Sequence, residues 1–316
     1  MADALPKNFV VRRPTMDDLQ AVYSLILAND LVDFGEPDYS EGELLADWQD
    51  IHLETDAWIV VTPGSKLVGY AGVSHRWHTR MDTEVYVHPE HVGKGIGAYL
   101  IRLTEARARE HVPLAPPDSR VVLNNAINGA NDAACRLLER KGYAPVRYFH
   151  RMAIELEKPP PEPEWPTGIT VRPCVPGRDE RAAFEVVEEA FRDHWGYIPK
   201  TFEAWERRRK GETFDPELWL LAVGDGEIAG VAVCNYFLDG GWVEELAVRR
   251  PWRRQGLGMT LLLAAFGEFY RRDRRKITLG VDSENLTGAT RLYERAGMRA
   301  DRCYAVYQKE LRPGRG

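Results

Sequence analysis

The sequence predicts two tandem copies of one α/β domain, each a mixed, mostly antiparallel sheet flanked by helices. Three observations predict it. Three landmarks recur in the same order along the chain, a proline-rich run separates the two sets, and in each set strand-like segments precede a βαβ pattern.

The landmarks pair as follows. FVVRRP at 9–14 is answered by ITVRP at 169–173, and VYVHPEHVGKGIGAYL at 85–100 by LAVRRPWRRQGLGMTLL at 246–262. NDAACRLLERKGY at 131–143 is answered by NLTGATRLYERAGM at 285–298. The offset stays at roughly 155 to 161 residues, which marks an internal duplication. Between the sets, EKPPPEPEWPTG at 157–168 holds five prolines. Proline fixes φ and removes a backbone donor, so this run reads as an extended, semi-rigid linker. The sequence therefore divides into an N-terminal domain at 1–157, a linker at 158–168 and a C-terminal domain at 169–316.

Each copy opens with a short strand, at 8–13 or 169–172. A first helix near 15–29 is started by Thr15, with Asp17 and Asp18 in its first turn. Its counterpart near 178–192 carries Phe184, Val187 and Phe191 at helical spacing. Strand candidates follow at 57–61, 66–73 and 83–87, and again at 218–223, 227–237 and 242–248. The turn signals PGS (63–65) and GDGE (224–227) lie between them. A glycine-bearing loop, a helix, a strand (121–124; 277–280), another helix and a final strand complete each copy.

The glycine loop is the first chemical signal. RRQGLG, residues Arg253, Arg254, Gln255, Gly256, Leu257 and Gly258, follows an apolar strand and opens a helix at Met259. Glycine lets backbone amides approach an anion, and the helix N-terminus adds the positive end of its dipole. Together they form a pyrophosphate cradle, with the arginines as nearby charge. The alternatives fail on spacing: no GxxxxGK[ST] is present, and GxGxxG lacks its third glycine. In the first copy the loop contains Gly93, Lys94, Gly95, Ile96 and Gly97, with Val92 where the second copy has Arg253.

Composition narrows the partners. A formal charge of −6 argues against a broad electrostatic grip on nucleic acid, whereas the local cluster of Arg249, Arg250, Arg253 and Arg254 suits a small phosphorylated ligand. Cys135, Cys174, Cys234 and Cys303 are scattered without a CxxC pair, so neither a zinc site nor a disulfide framework is expected. No signal peptide or membrane-length apolar run is visible, and the chain reads as cytoplasmic.

The string R-x-x-G-x-G after a strand ending in L-A-V resembles the acyl-CoA loop of the GNAT acetyltransferase superfamily. The strings at 191–197, 247–258 and 281–298 are similar to those of its tandem, mycothiol synthase-like members. The resemblance covers about 9–156 and 169–311. It implies acetyl-CoA as co-substrate, no metal, and a strand splayed from its neighbour so that the pantetheine arm fills the gap. The arm would bond the backbone of Leu246, Ala247 and Val248, or of Val85, Tyr86 and Val87 in the first copy.

The implied reaction is direct acetyl transfer from the thioester to an amine. Tyr293 is the implied donor to the leaving thiolate, since a phenol near pKa 10 lies close to a thiol near 8.5. Leu138 stands at the matching place in the first copy, which assigns catalysis to the second. Glu244 and Glu245 are the candidate bases. Strand alternation sends them to opposite faces, so one faces the cleft; the first copy has Thr83 and Glu84 there. His194 and Trp195 fall where the family builds its acceptor wall. Asn285, matched by Asn131, starts the following helix and is a further contact for the coenzyme arm. Cys234 and Cys303 flank no base motif, which disfavours an acyl-cysteine route. A small amine acceptor leads, with an acyl-CoA sensor and a protein N-terminal or lysine acetyltransferase as alternatives. The oligomeric state is open.

Overall fold

The computed structural model describes residues 5–209, 214–238, 240–285 and 288–314. The first copy runs β1 (Val10–Arg12), α1 (Leu19–Asp33), α2 (Glu41–Gln49), α3 (Leu53–Asp56), β2 (Ala57–Val61), β3 (Leu67–Arg76), β4 (Arg80–Val87), α4 (Ile96–His111), β5 (Val121–Asn128), α5 (Asp132–Arg140) and β6 (Ala144–Glu155). The second runs β7 (Ile169–Pro173), α6 (Glu180–Phe191), α7 (Phe202–Arg209), β8 (Trp219–Gly224), β9 (Glu227–Phe237), β10 (Gly240–Val248), α8 (Leu257–Arg271), β11 (Lys276–Asp282), α9 (Ala289–Arg295) and β12 (Arg299–Arg312).

These elements form two compact units, Met1–Tyr148 with Cys303–Gly316, and Phe149–Arg302. The strand orders are β1-β2-β3-β4-β5-β12 in unit 1 and β6-β11-β10-β9-β8-β7 in unit 2. Each unit therefore takes its last strand from the other sequence copy. In unit 1, β12 runs antiparallel to β5, with Tyr304 opposite Asn128. In unit 2, β6 runs antiparallel to β11, with Ile154 opposite Ile277. The domain limits read from the sequence follow the copies and so differ from the units at these two strands. An alternating pattern announces a strand but does not say which sheet edge it joins.

Both sheets are mixed. The β4–β5 and β10–β11 pairs are parallel, and the other pairings described within each unit are antiparallel. Helices cover both faces, which explains the continuous apolar run AWIVV of β2. Its Trp58 and Val60 join Ile96 and Leu100 of α4 on one face. Ala57 and Ile59 join Val22, Ile26 and Trp48 of α1 and α2 on the other. In unit 2, α8 packs Leu261, Phe266 and Phe269 against Leu220, Val243 and Leu279. On the opposite face Val186, Val187 and Trp205 meet Trp219, Leu221, Val231 and Ala247.

Thr15 caps the first helical turn through a capping box with Asp18, and Ser40 does the same with Glu43 ahead of α2. The proline run lies outside regular secondary structure but is anchored in unit 2. Thr260 donates to the carbonyl of Glu164 at 3.3 Å, and Trp165 packs on the core beside α8. Among the described residues, no helix is long and apolar enough to cross a membrane.

Candidate active site

The site of unit 2 begins where two strands separate. β10 pairs with β11 only at Gly241 and Trp242. On its other edge it stays paired with β9 through Val248. Past Trp242, the edge of β10 that faced β11 has no strand partner among the described residues. That edge belongs to 243–248, which includes Leu246, Ala247 and Val248. Unit 1 shows the same departure: β4 pairs with β5 from Arg80 to Thr83, while Val85, Tyr86 and Val87 pair only with β3.

The units differ inside this strand. In β10 the register with β9 shifts between Val243 and Glu245, a bulge centred on Glu244. The register of β4 with β3 is unbroken. The bulge corrects the alternation argument, because one extra residue cancels one change of face. Val243 packs in the α8 core, whereas Glu244 and Glu245 both reach the same nitrogen of Arg209 on α7. Arg209 Nη2 lies 3.0 Å from Glu244 and 2.8 Å from Glu245. The two carboxylates therefore share a face.

Their environments are unequal. Glu245 is 5% exposed and also accepts from Trp205 Nε1 at 3.0 and 3.1 Å. The Glu244 side chain is 31% exposed and accepts from Trp242 Nε1 at 2.8 Å. Burial opposes the charge of Arg209, but Glu244 and Glu245 outweigh it and its pKa is raised. Trp205 and Arg209 were not read as site residues from the sequence. Their i, i+4 spacing in FEAWERRR was the available signal. Arg209→Met is expected to lower stability by about 3–5 kcal/mol, because it strands a buried carboxylate. Denaturant unfolding checks this, and a loss below about 1 kcal/mol would remove Arg209 as the anchor.

At the end of β10 the chain turns through 250–252 into the glycine loop. Gly256 has φ +86° and caps α8. A side chain at Gly256 would project into space with no atom within 4 Å. Among the described residues, the amides of 254–258 donate no hydrogen bond. They form a row of free donors at a helix N-terminus. The amide of Met259, read from the sequence as part of the cradle, instead donates to Gly256 O at 2.9 Å. The helix has already begun there. Gly258 has a packing task, since a Cβ would lie 3.3 Å from Leu292 of α9.

The arginines divide their work. Arg249 pairs with Glu189 and Glu227, and Arg250 with Asp193. Arg253 donates to the carbonyls of Val248 at 2.9 Å and Ala190 at 3.5 Å, which pins the loop to β10 and α6. Gln255 donates to Pro251 O. Arg254, exposed and at φ +65°, is the member of this cluster with no ion pair or hydrogen bond among the described residues.

Unit 1 repeats the loop backbone closely. Gly93 and Gly95 have φ of +82° and +86° where Arg254 and Gly256 have +65° and +86°. The amides of 93–97, Lys94 and Ile96 included, donate no hydrogen bond among the described residues. A Cβ at Gly97 would lie 3.1 Å from Leu137, as one at Gly258 would lie close to Leu292. Val92 is 55% exposed and offers no counterpart to the Arg253 tether.

Tyr293 on α9 is 8% exposed and packs in the cluster that includes Val243, Leu246, Val248 and Leu257. Its phenol makes no hydrogen bond among the described residues, and burial pushes its pKa up to about 12. It is thus a weaker acid than the free phenol of the sequence reading. Leu138 is its buried counterpart in unit 1.

Asn131 caps α5 by accepting from Ala134 N at 3.1 Å, and its amide donates to Asp33. Asn285 does not start α9. Gly288 precedes that helix and donates to Asn285 O, while Leu286 and Thr287 lie outside the described residues. His194, just past α6, lies tilted against Phe191 with ring centroids 4.4 Å apart. Burial lowers its pKa against the pull of Asp282. Trp195 lies against Phe149 at 6.3 Å. Cys234 is fully buried, and burial pushes its thiol far above the ordinary value, which leaves no thiolate for acyl transfer.

Comparison with known proteins bears on this arrangement. The sequence pattern of the acetyltransferase (GNAT) family matches residues 19–143 and 182–298. A mycothiol acetyltransferase of Cellulomonas flavigena is 33% identical over 296 residues, covering 89% of this chain and 82% of that protein. A crystal structure of a GCN5-related N-acetyltransferase from Sphaerobacter thermophilus superposes with a TM-score of 0.86 at 43% identity, covering 99% and 98% of the two chains. A tandem GNAT protein from the clavulanic acid biosynthesis pathway shares the fold at 16% identity, with a TM-score of 0.73 and coverage of 97% and 99%.

Proposed function

The chain belongs to the GNAT acetyltransferase family, and on that premise we propose that unit 2 transfers an acetyl group from acetyl-CoA to a primary amine of a small molecule. The amine attacks directly, with both substrates bound at once. One observation carries this reading: in unit 2 the freed edge of β10 ends at a row of unpaired amides beside a bulge that presents two carboxylates.

Acetyl-CoA supplies an activated thioester carbonyl. The chain's residues hold and orient it. The amides of 254–258 and the Arg254 side chain receive the pyrophosphate, and the freed backbone of Leu246, Ala247 and Val248 receives the pantetheine arm. Glu244, the more exposed carboxylate, takes the proton of the attacking amine directly or through water. Glu245, Trp205 and Arg209 position it. Tyr293 returns a proton to the departing sulfur. Unit 1 keeps the loop and the splayed strand but has Leu138 and an unbulged β4, so its role is coenzyme binding or scaffold. His194 and Trp195 contribute to the acceptor wall of unit 2.

The full chain, acetyl-CoA and a panel of amines test the proposal through thiol release. The panel spans mycothiol-related amines, amino sugars, polyamines, amino acids and peptides. Turnover on a non-peptide amine is expected. Coenzyme binding without turnover on any amine would favour a sensor, and turnover confined to peptide amines would favour a protein acetyltransferase.

A further inference from the structure

Three histidines of unit 1 converge at the end of the fold away from its glycine loop. His75 lies near the end of β3, His78 in the turn between β3 and β4, and His111 is the last residue of α4. His78 Nδ1 and His111 Nδ1 are 2.8 Å apart. Ring centroids are 4.2 Å apart for His75 and His78, 4.6 Å for His75 and His111, and 5.0 Å for His78 and His111. One nitrogen of each ring lies within 4.8 Å of the other two.

We propose that this cluster is a binding site for a divalent transition-metal ion of the zinc class, held by His75, His78 and His111 with water completing the coordination. The proposal stands apart from the acetyl-transfer reading. Zinc–imidazole bonds of about 2.0–2.1 Å put tetrahedral ligand atoms about 3.3 Å apart. The His78–His111 pair is closer than this and all three ligand atoms lie within 4.8 Å, while His75 and His78 are stacked 16° from parallel, so the rings must turn to aim their lone pairs at one ion. The donor set selects the ion class, because imidazole suits zinc, cobalt, nickel and copper, whereas calcium and magnesium want oxygen.

Two independent features set the cluster apart from a surface coincidence. His111 is 4% exposed, and its Nε2 is sealed from solvent with no hydrogen-bond partner. Nδ1 of the same buried ring is the nitrogen turned to His78, and it is the one placed to reach the ion. The turn is also held in an unusual conformation, with φ of +52° at Trp77 and +55° at His78. Neither is glycine, and such backbone persists only where its surroundings fix it. Burial, with His75, Arg107 and His78 nearby, lowers the His111 pKa to about 4 against the pull of Asp56.

Position assigns the ion a structural task. β4 runs from beside this turn to the glycine loop over eight residues, about 25 Å at strand rise. α4 runs back from the loop to His111 over sixteen residues, about 24 Å. The ion would thus clamp together the far ends of the two elements that frame the loop. Cysteine spacing could not reveal it, because the third ligand lies 33 residues beyond the second.

The test uses the tag-free full chain, freed of metal by chelation and titrated with Co²⁺ and then Zn²⁺. One equivalent of Co²⁺ with visible d–d absorption, displaced by Zn²⁺, is expected, together with a Zn²⁺-dependent rise in Tm. His78→Gly suits the left-handed turn, and His75→Ala alters an exposed residue. Each should lower affinity more than a hundredfold, whereas His88→Ala should bind as wild type does. Absence of stoichiometric binding, or unchanged binding in both His78→Gly and His75→Ala, would overturn the site.

Discussion

Tyr293→Phe is expected to lower kcat at least tenfold while leaving the affinity for acetyl-CoA nearly unchanged. The two side chains differ by one hydroxyl, and the Tyr293 hydroxyl makes no hydrogen bond among the described residues. Packing therefore changes little, and the loss should fall on proton delivery. Burial sharpens the test. With the phenol near 12 and a free thiol near 8.5, proton return to the sulfur would be uphill by about 5 kcal/mol. Burial must raise the thiol's pKa as well for the transfer to become favourable. Because the phenol's pKa is raised, it keeps its proton throughout the neutral range and up to about pH 11. The Tyr293-dependent part of the rate should accordingly show no fall between pH 7 and 10. Steady-state kinetics with coenzyme titration decides, and an unchanged kcat would remove the assignment.

Gly256→Val is expected to abolish acetyl-CoA binding in unit 2, a loss of more than a hundredfold. Two effects act together. At φ +86° a β-branched residue is strained, and its side chain would stand in the open space before the amides of 254–258. Gly256→Ala separates them, since it carries most of the strain with less of the obstruction. Titration in a chain whose unit 1 loop is disabled by Gly95→Val isolates the site. Retained binding there would place the cradle elsewhere.

How much of this was legible in the sequence depended on whether a feature is written in one segment or in the meeting of several. The loop was legible because Gly95 and Gly256 carry a left-handed conformation, and Gly97 and Gly258 a close approach, in their own identity. The strands before it were legible as β-rich segments divided by turn signals, and Thr15 with Asp18 announced the first helical turn. Alternation failed at Glu244 and Glu245, since a bulge changes the face without altering composition. The hold of Trp205 and Arg209 on those carboxylates needed α7, which the sequence reading did not place. Arg253 was read as charge for a ligand, yet its guanidinium ties backbone carbonyls. His111 lies far along the chain from His75 and His78, so their meeting is a product of topology.

The exchanged last strands bear on how the chain can be made. A ribosome releases β5 long before β12, so the edge that β12 will cover stays open while all of unit 2 is being translated. Unit 2, by contrast, has its borrowed β6 in hand before its own first strand emerges. Maturation should therefore run backwards, with the later-translated unit closing first and the earlier one sealed by the final residues. Either copy expressed alone, cut within the proline run, would lack the strand that pairs with its β5 or β11 in the full chain.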